Sequence, residues 1–93
     1  MSRYTKLRGD KIYVYGYDTP TRSMFFACYD ATKGQHTGPD NCIFNVGPYS
    51  IKAHPDKPHL TNYSAEQLLE LMKSSDGVVD PDHLKAAHLG RPF

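Results

Sequence analysis

The chain has 93 residues, 39% of them hydrophobic and 23% charged, and a formal net charge of +1. This length supports one hydrophobic core, which predicts a single compact domain over residues 1–93 and excludes a deep enclosed cofactor cavity, so we expect no cofactor. No apolar run approaches the roughly 18–20 residues of a membrane span, and the first residues lack the apolar region of a signal peptide. We therefore expect a cytoplasmic protein without a membrane partner.

The first predicted element is a strand over residues 11–17, in which small or aliphatic residues alternate with tyrosines. Residues 18–22 supply turn formers, and residues 23–29 predict the return strand of a hairpin. We predict a register that places Tyr17 opposite Ser23. This register gathers Ile12, Val14, Met24, Phe26 and Cys28 on one face, and Tyr13, Tyr15, Tyr17, Phe25, Ala27 and Tyr29 on the other.

A polar segment over residues 30–40 follows the hairpin, and its two glycines and one proline predict a long exposed loop. Residues 41–46 predict a third strand, Gly47 and Pro48 a turn, and residues 49–53 a short fourth strand.

The hydrophobic period changes to that of a helix near residue 63. Ser64 is a predicted N-cap that forms a capping box with Gln67, while Tyr63 and Leu68 are spaced as a hydrophobic staple. Gly77 is placed to end this first helix.

A second, shorter helix is predicted to begin with Asp80 as N-cap and Pro81 at the first helical position, and to end before Gly90. We expect Leu84, Ala87 and either His88 or Leu89 to face inward, and His83 to lie on the surface. The predicted fold class is α+β, with a small antiparallel sheet of three to four strands, including an N-terminal hairpin, packed against two C-terminal helices.

Basic residues are concentrated near the N-terminus. Residues 1–30 hold five basic and three acidic side chains, whereas residues 61–93 hold three basic and five acidic ones. A nearly neutral chain argues against nucleic-acid binding as the main activity, because such binding needs many phosphate contacts. A small nucleic-acid-binding regulator stays open as an alternative, and its contact residues would be Arg3, Lys6, Arg8 and Lys11.

The aromatic composition is the most informative feature, with seven tyrosines and no tryptophan. One interpretation is that the strand tyrosines form ordinary core. In another, the opposite face supplies the surface for the helices, which leaves an exposed tyrosine patch for a protein partner or a second copy. Base stacking on single-stranded nucleic acid is a third. The predicted partner-binding residues are Tyr13, Tyr15, Tyr17, Arg22, Phe25, Lys33 and His36.

Catalytic chemistry has less support in the sequence. Cys28 and Cys42 lie in apolar segments without metal-ligand spacing, which favours reduced core thiols. An enzyme centred on His54, Asp56 and His59 is a further alternative. The prolines between these histidines favour an extended loop, so we expect no metal site and nominate no catalytic residue.

Three segments resemble short accessory proteins of proteobacterial phages and plasmids: Met1–Asp18, Tyr63–Met72 and His83–Phe93. The similarity spans most of the chain but assigns no functional residue. It implies a mobile-element protein that blocks a host defence complex by stoichiometric binding, as anti-CRISPR inhibitors do. The leading hypothesis is therefore a non-enzymatic protein-binding module.

Overall fold

The computed structural model describes residues 2–32, 34–47, 52–55, 63–75 and 77–93. It shows an α+β fold, which confirms the predicted class. The strands are β1 (Tyr4–Arg8), β2 (Lys11–Asp18), β3 (Ser23–Asp30) and β4 (Cys42–Val46), and the helices are α1 (Ala65–Lys73) and α2 (Pro81–His88). The sheet is antiparallel in the order β1-β2-β3-β4, so each strand pairs with its neighbour in the chain.

The strand β1 is absent from the sequence predictions, whereas β2, β3 and β4 were predicted. A two-residue turn, Gly9 and Asp10, joins β1 to β2, with Arg8 opposite Lys11. Gly9 has φ +59°, as the first central position of a type II′ hairpin turn requires. The predicted fourth strand over residues 49–53 lies mostly outside the described residues, and its Lys52 forms an isolated bridge with Asn45.

The predicted register of the central hairpin is wrong by one residue. Tyr17 lies opposite Met24, and the pair Asp18–Ser23 closes a four-residue turn. Arg22 ends this turn with φ +52°, and its N–H donates to the carbonyl of Thr19 at 3.2 Å. Because side chains alternate between faces, this one-residue difference moves every side chain of β3 to the other face of the sheet relative to the side chains of β2.

The corrected register collects the large side chains on one side of the sheet, which we call the helix face. Its members are Tyr4, Lys6, Tyr13, Tyr15, Tyr17, Met24, Phe26, Cys28, Phe44 and Val46. They form the main core with α1, α2 and the Val78–Val79 segment between the helices. Burial of this aromatic surface supplies the main driving force for the fold.

The opposite side, which we call the loop face, carries smaller side chains. Its members are Thr5, Leu7, Ile12, Val14, Gly16, Phe25, Ala27, Tyr29 and Asn45. The segment between β3 and β4 folds back toward this face, because the Arg3 guanidinium donates to the Thr37 hydroxyl at 3.4 Å. Asn41 holds the segment in place, since its side chain accepts from the N–H of Gly38 at 2.8 Å and donates to the carbonyl of Asp30 at 3.0 Å.

The predicted capping box of the first helix is confirmed. The Ser64 side chain accepts from the Gln67 N–H, and the Gln67 side chain accepts from the Ser64 N–H. The helix ends at Lys73 rather than near Gly77, because Ser74 and Ser75 direct their hydroxyls to the Leu71 carbonyl. These hydroxyl donors satisfy a carbonyl that another helical turn would otherwise use.

The second helix also starts where the sequence predicted, at Pro81 after Asp80. Leu84 and Ala87 pack against the core as expected, but His88 and Leu89 are both exposed, so the prediction that one of them faces inward is wrong. Across the described ranges, no helix has the length and apolar character needed to cross a membrane.

Candidate interaction surface

The three strand tyrosines lie in the core beneath the helices. Tyr13, Tyr15 and Tyr17 are 6%, 0% and 9% exposed. The expectation that they form an exposed aromatic patch is therefore wrong. The one-residue change of register explains the outcome, because it places Met24, Phe26 and Cys28 on the same face as the tyrosines and makes that face the one that the helices cover.

The other predicted partner-binding residues are dispersed. Phe25 is half-buried on the loop face, and Arg22 is exposed in the turn between β2 and β3. His36 is exposed beyond β3, with its Nε2 atom 3.5 Å from the Asp40 carboxylate. Lys33 lies outside the described residues. Phe25 and His36 thus belong to the loop side of the sheet, whereas the tyrosines belong to the helix side.

The four basic residues proposed for nucleic-acid contact also divide between the two sides. The Arg3 side chain lies toward the loop face, where it reaches Thr37. Lys6 lies on the helix face, and its Nζ atom is 3.1 Å from the Asp80 carboxylate. Arg8 and Lys11 are exposed opposite each other beside the β1–β2 turn. Lys6, Arg8 and Lys11 therefore share one side of the sheet, with Lys6 paired to Asp80, and Arg3 lies on the other side.

The outer edge of β1 presents backbone groups that β2 does not use. Ser2 donates its N–H to the carbonyl of Tyr17 at 2.9 Å, which marks it as bonded toward β2. Because bonded and non-bonded positions alternate in an antiparallel pair, Tyr4, Lys6 and Arg8 also bond toward β2, whereas three residues direct their N–H and C=O outward. These three residues are Arg3, Thr5 and Leu7.

A hydrogen bond of the Leu7 carbonyl agrees with this alternation. This carbonyl accepts from the Arg8 guanidinium at 3.1 Å, so it points away from β2. Outside the ladder between β1 and β2, no backbone group of the described residues pairs with the N–H or C=O of Arg3, Thr5 or Leu7. We call the outward backbone of these three residues the open edge.

A shallow groove of about 470 Å³ runs beside the open edge on the loop face. Arg3, Thr5 and Leu7 line the groove. Backbone direction and side-chain face both alternate with a period of two residues, so these three residues share the loop face as well as the outward backbone direction. Leu7 is 47% exposed, a large fraction for a leucine on a strand. The remaining lining residues are Ile12, Gln35, His36 and Thr37.

The opposite sheet edge is partly occupied. Asn45 of β4 exchanges two backbone hydrogen bonds with Lys52, at 2.9 and 3.3 Å. The Tyr63 N–H donates to the carbonyl of Gly47 just beyond the strand at 3.2 Å. The two sheet edges therefore differ, and β1 is the more accessible template for a further strand.

A polar cluster joins the sheet to the start of α2. The Tyr15 hydroxyl lies 2.7 Å from His83 Nδ1 and accepts from the Asp80 N–H at 3.3 Å. Burial is the main cause that raises the pKa of Tyr15, so this hydroxyl stays protonated and can donate to His83. With the Lys6–Asp80 ion pair, the cluster fixes α2 on the helix face and leaves the open edge clear.

His83 is the centre of an aromatic group, against the expectation that it lies on the surface. Its ring centroid is 4.1 Å from that of Tyr4 and 5.6 Å from that of Phe93, and the Phe93 ring is stacked on it. Ring packing of this kind stabilises the contact between the C-terminal segment and β1. The arrangement gives His83 a structural role in this structure.

A second cleft, of about 550 Å³, lies between the C-terminal end of α1 and the helix face of the sheet. Its lining includes Tyr13, Cys28, Phe44 and His54, and the His54 ring centroid is 4.7 Å from that of Phe44. Burial raises the pKa of the Cys28 thiol to about 11 and also raises that of Cys42, so both free thiols remain protonated near neutral pH. A protonated thiol is a poor nucleophile.

The alternative site at His54, Asp56 and His59 is only partly described. Asp56 and His59 lie outside the described residues. The His54 N–H donates to the Tyr63 hydroxyl at 3.3 Å, which ties this segment to the start of α1. Within the part of the chain that the structure describes, no group of three His, Cys, Asp or Glu residues is placed to hold a metal ion.

Comparisons with family models, with curated proteins and with solved structures found no match to this chain. The functional interpretation therefore depends on the geometry of the chain itself. The sequence carries little signal for β1, because its two apolar residues, Tyr4 and Leu7, are three positions apart and therefore lie on opposite faces of the strand.

Proposed function

We propose that this protein is a non-enzymatic protein-binding module that captures an extended segment of a partner by strand addition at β1. The observation that carries the proposal is the open edge, where Arg3, Thr5 and Leu7 direct backbone donors and acceptors away from the sheet. Exposed edges of this kind pair readily with another chain, and main-chain hydrogen bonds then supply affinity.

The groove beside the open edge supports the same function. Strand addition places alternate side chains of the added segment on each face of the sheet. On the loop face, those side chains would lie against Leu7 and the groove lined by Thr5 and Ile12. Burial of apolar surface there adds to the backbone hydrogen bonds, which are worth about 0.5–1.5 kcal/mol each in net terms.

The alternative functions have less structural support. Arg3 points to the face opposite that of Lys6, and Lys6 is paired with Asp80, so Arg8 and Lys11 alone remain as unneutralised charges on that side for a nucleic-acid-binding regulator. The alternative enzyme centred on His54, Asp56 and His59 has only His54 within the described residues, and that ring packs on Phe44 with its centroid at 4.7 Å. The inhibitor of a host defence complex that the resemblance implies is one form of the proposed module, and its partner stays a prediction.

A proline substitution tests this function without disturbing the sheet. Thr5→Pro removes an outward N–H, whereas the bonds from β1 to β2 use the neighbouring residues. Thr5→Val is the matched control, because it keeps the N–H and suits a strand. Thermal unfolding of both variants would establish that each is folded.

The measurement is selection of extended peptides from a random display library on the full chain, followed by capture from a bacterial lysate. We expect the wild type and Thr5→Val to enrich the same peptides, and the lysate protein that carries such a segment to be captured by both. Thr5→Pro should lose both activities. Equal enrichment by Thr5→Pro would contradict strand addition at β1.

A further inference from the structure

We infer that the captured segment is acidic at both ends, with two carboxylates five positions apart that face opposite sides of the sheet. This inference rests on the proposed function and specifies the partner. Its basis is the distribution of charge along residues 3–8, which contain Arg3, Lys6 and Arg8 and no acidic side chain.

Arg3 is the first residue of the open edge, and Arg8 directly follows Leu7, its last residue. The two arginines are five residues apart, which corresponds to about 17 Å along a strand at roughly 3.3 Å per residue. Both side chains are exposed. Arg3 lies toward the loop face, where it reaches Thr37, whereas Arg8 is on the side of Tyr4 and Lys6 with its guanidinium donating to the Leu7 carbonyl at the open edge.

The spacing determines the pattern of the added strand. In antiparallel pairing, the residues opposite Arg3 and Arg8 are also five positions apart, and an odd separation directs them to opposite faces. Each would then lie beside the arginine of its own face. Carboxylates at these two positions satisfy the guanidinium groups, whereas basic residues there are repelled.

The centre of the edge requires a different chemistry. The Asp80 carboxylate, 3.1 Å from Lys6 Nζ, already neutralises Lys6, so the residue opposite Lys6 needs no charge. The residues opposite Thr5 and Leu7 lie on the loop face beside the groove, where exposed Leu7 favours an apolar β-branched neighbour. The predicted pattern is acidic, apolar, neutral, apolar, neutral, acidic.

Charge also argues against a second copy of this chain as the occupant. Pairing all five residues of β1 with the same residues of another copy brings Arg3 and Arg8 of both chains into one interface, and residues 3–8 offer no acidic side chain to pair with them. The four guanidinium groups would repel one another, so the basic edge selects against self-association as well as for an acidic partner.

The test uses the full chain and two capped synthetic peptides in a fluorescence anisotropy titration. The acidic peptide is Glu-Val-Thr-Val-Thr-Glu, and the control peptide replaces both glutamates with lysine. We expect the acidic peptide to bind at least about tenfold more tightly, a ratio that shrinks with added salt. The double variant Arg3→Glu with Arg8→Glu should reverse the preference, while its unfolding midpoint shows that it remains folded.

The outcomes separate this inference from the proposed function. If both peptides bind equally and Thr5→Pro abolishes binding, the acidic partner is wrong and strand addition stands. If the acidic peptide binds the Thr5→Pro variant with the same affinity as the wild type, the arginines recognise it without strand addition. Both strand addition at β1 and the acidic strand pattern are then wrong for this peptide. If neither peptide binds, the acidic pattern is overturned, and the display selection alone decides the function.

Discussion

The helix face and the loop face belong to the same sheet but are covered in different ways. On the helix face, Tyr15 and Phe26 are fully buried under α1 and α2. On the loop face, a small cluster of Ile12, Val14 and Ala27 is buried, whereas Leu7 and Phe25 remain partly accessible. The helix face, which carries the strand tyrosines, forms the core. The accessible surface lies along β1, beside the loop face with its smaller side chains.

The neighbouring phenylalanines of β3 test this difference most strongly. Phe26→Ala removes a fully buried ring from the helix face and should lower the free energy of unfolding by about 3–5 kcal/mol. Phe25→Ala, on the loop face, should cost about 1–2 kcal/mol because its ring is only half-buried. Urea denaturation measures both values. An equal or larger loss for Phe25→Ala would contradict the assignment of the two faces.

A substitution at Gly16 tests how the N-terminal residues cover the loop face. A Cβ at this position would lie 2.1 Å from the backbone oxygen of Ser2 and 2.8 Å from the Phe25 ring. Gly16→Ala should therefore cost about 1–3 kcal/mol of stability in chemical denaturation. In a chain that lacks residues 1 and 2, the same substitution should cost less, because its backbone obstacle is gone. Strict additivity would show that Ser2 does not pack there.

The alkaline pH dependence of stability tests the burial of Cys28 on the helix face. The fold disfavours its thiolate, so the unfolded chain loses this proton at lower pH than the folded chain does. Stability should be fully present below the ordinary thiol pKa of about 8.5 and should fall as pH rises toward about 11. The difference between about 8.5 and about 11 sets an upper bound of about 3.4 kcal/mol at about 1.4 kcal/mol per pKa unit, and solvation of the thiolate by local opening should reduce the observed loss to about 1–2 kcal/mol.

Cys28→Ala is the control for that measurement. The unfolding free energies of the wild type and the variant at pH 8 and near pH 10.5 should differ in slope, with the steeper decline in the wild type. Identical slopes would mean that the thiol is accessible in the folded chain.

The link between Tyr15 and α2 gives the smallest of these effects. Tyr15→Phe removes the hydroxyl that bonds to His83 and to the Asp80 N–H, and it should cost about 1 kcal/mol. Amide exchange in α2 should accelerate with it. Tyr17→Phe is the matched control on the same face, and we expect it to leave α2 unchanged. Equal acceleration in both variants would show that the hydroxyl is not what holds α2.

The comparison of the two faces also explains which features the sequence could predict. The capping box of Ser64 and Gln67 depends on four consecutive residues, so local pattern was sufficient to find it. The hairpin register depends on whether the turn has four or five residues, and residues 18–22 are compatible with both. The predicted five-residue turn placed the side chains of β3 on the wrong face relative to those of β2.

The features that the sequence could not predict depend on distant residues. Lys6 and Asp80 are separated by 74 positions, and Tyr15 and His83 by 68, so no local pattern connects them. His83 was therefore placed on the surface, although three aromatic rings surround it. The open edge also became visible only when the pairing of β1 with β2 showed which backbone groups point outward.

Residue-specific hydrogen exchange of the free protein, followed by NMR, tests the open edge most directly. We expect the Lys6 amide to be protected because it bonds toward β2, and the Thr5 and Leu7 amides to exchange rapidly because they point outward. Binding of an extended peptide should then protect Thr5 and Leu7 without changing Lys6. Protection of Thr5 and Leu7 equal to that of Lys6 in the free protein would show that the edge is already covered and would contradict strand addition at β1.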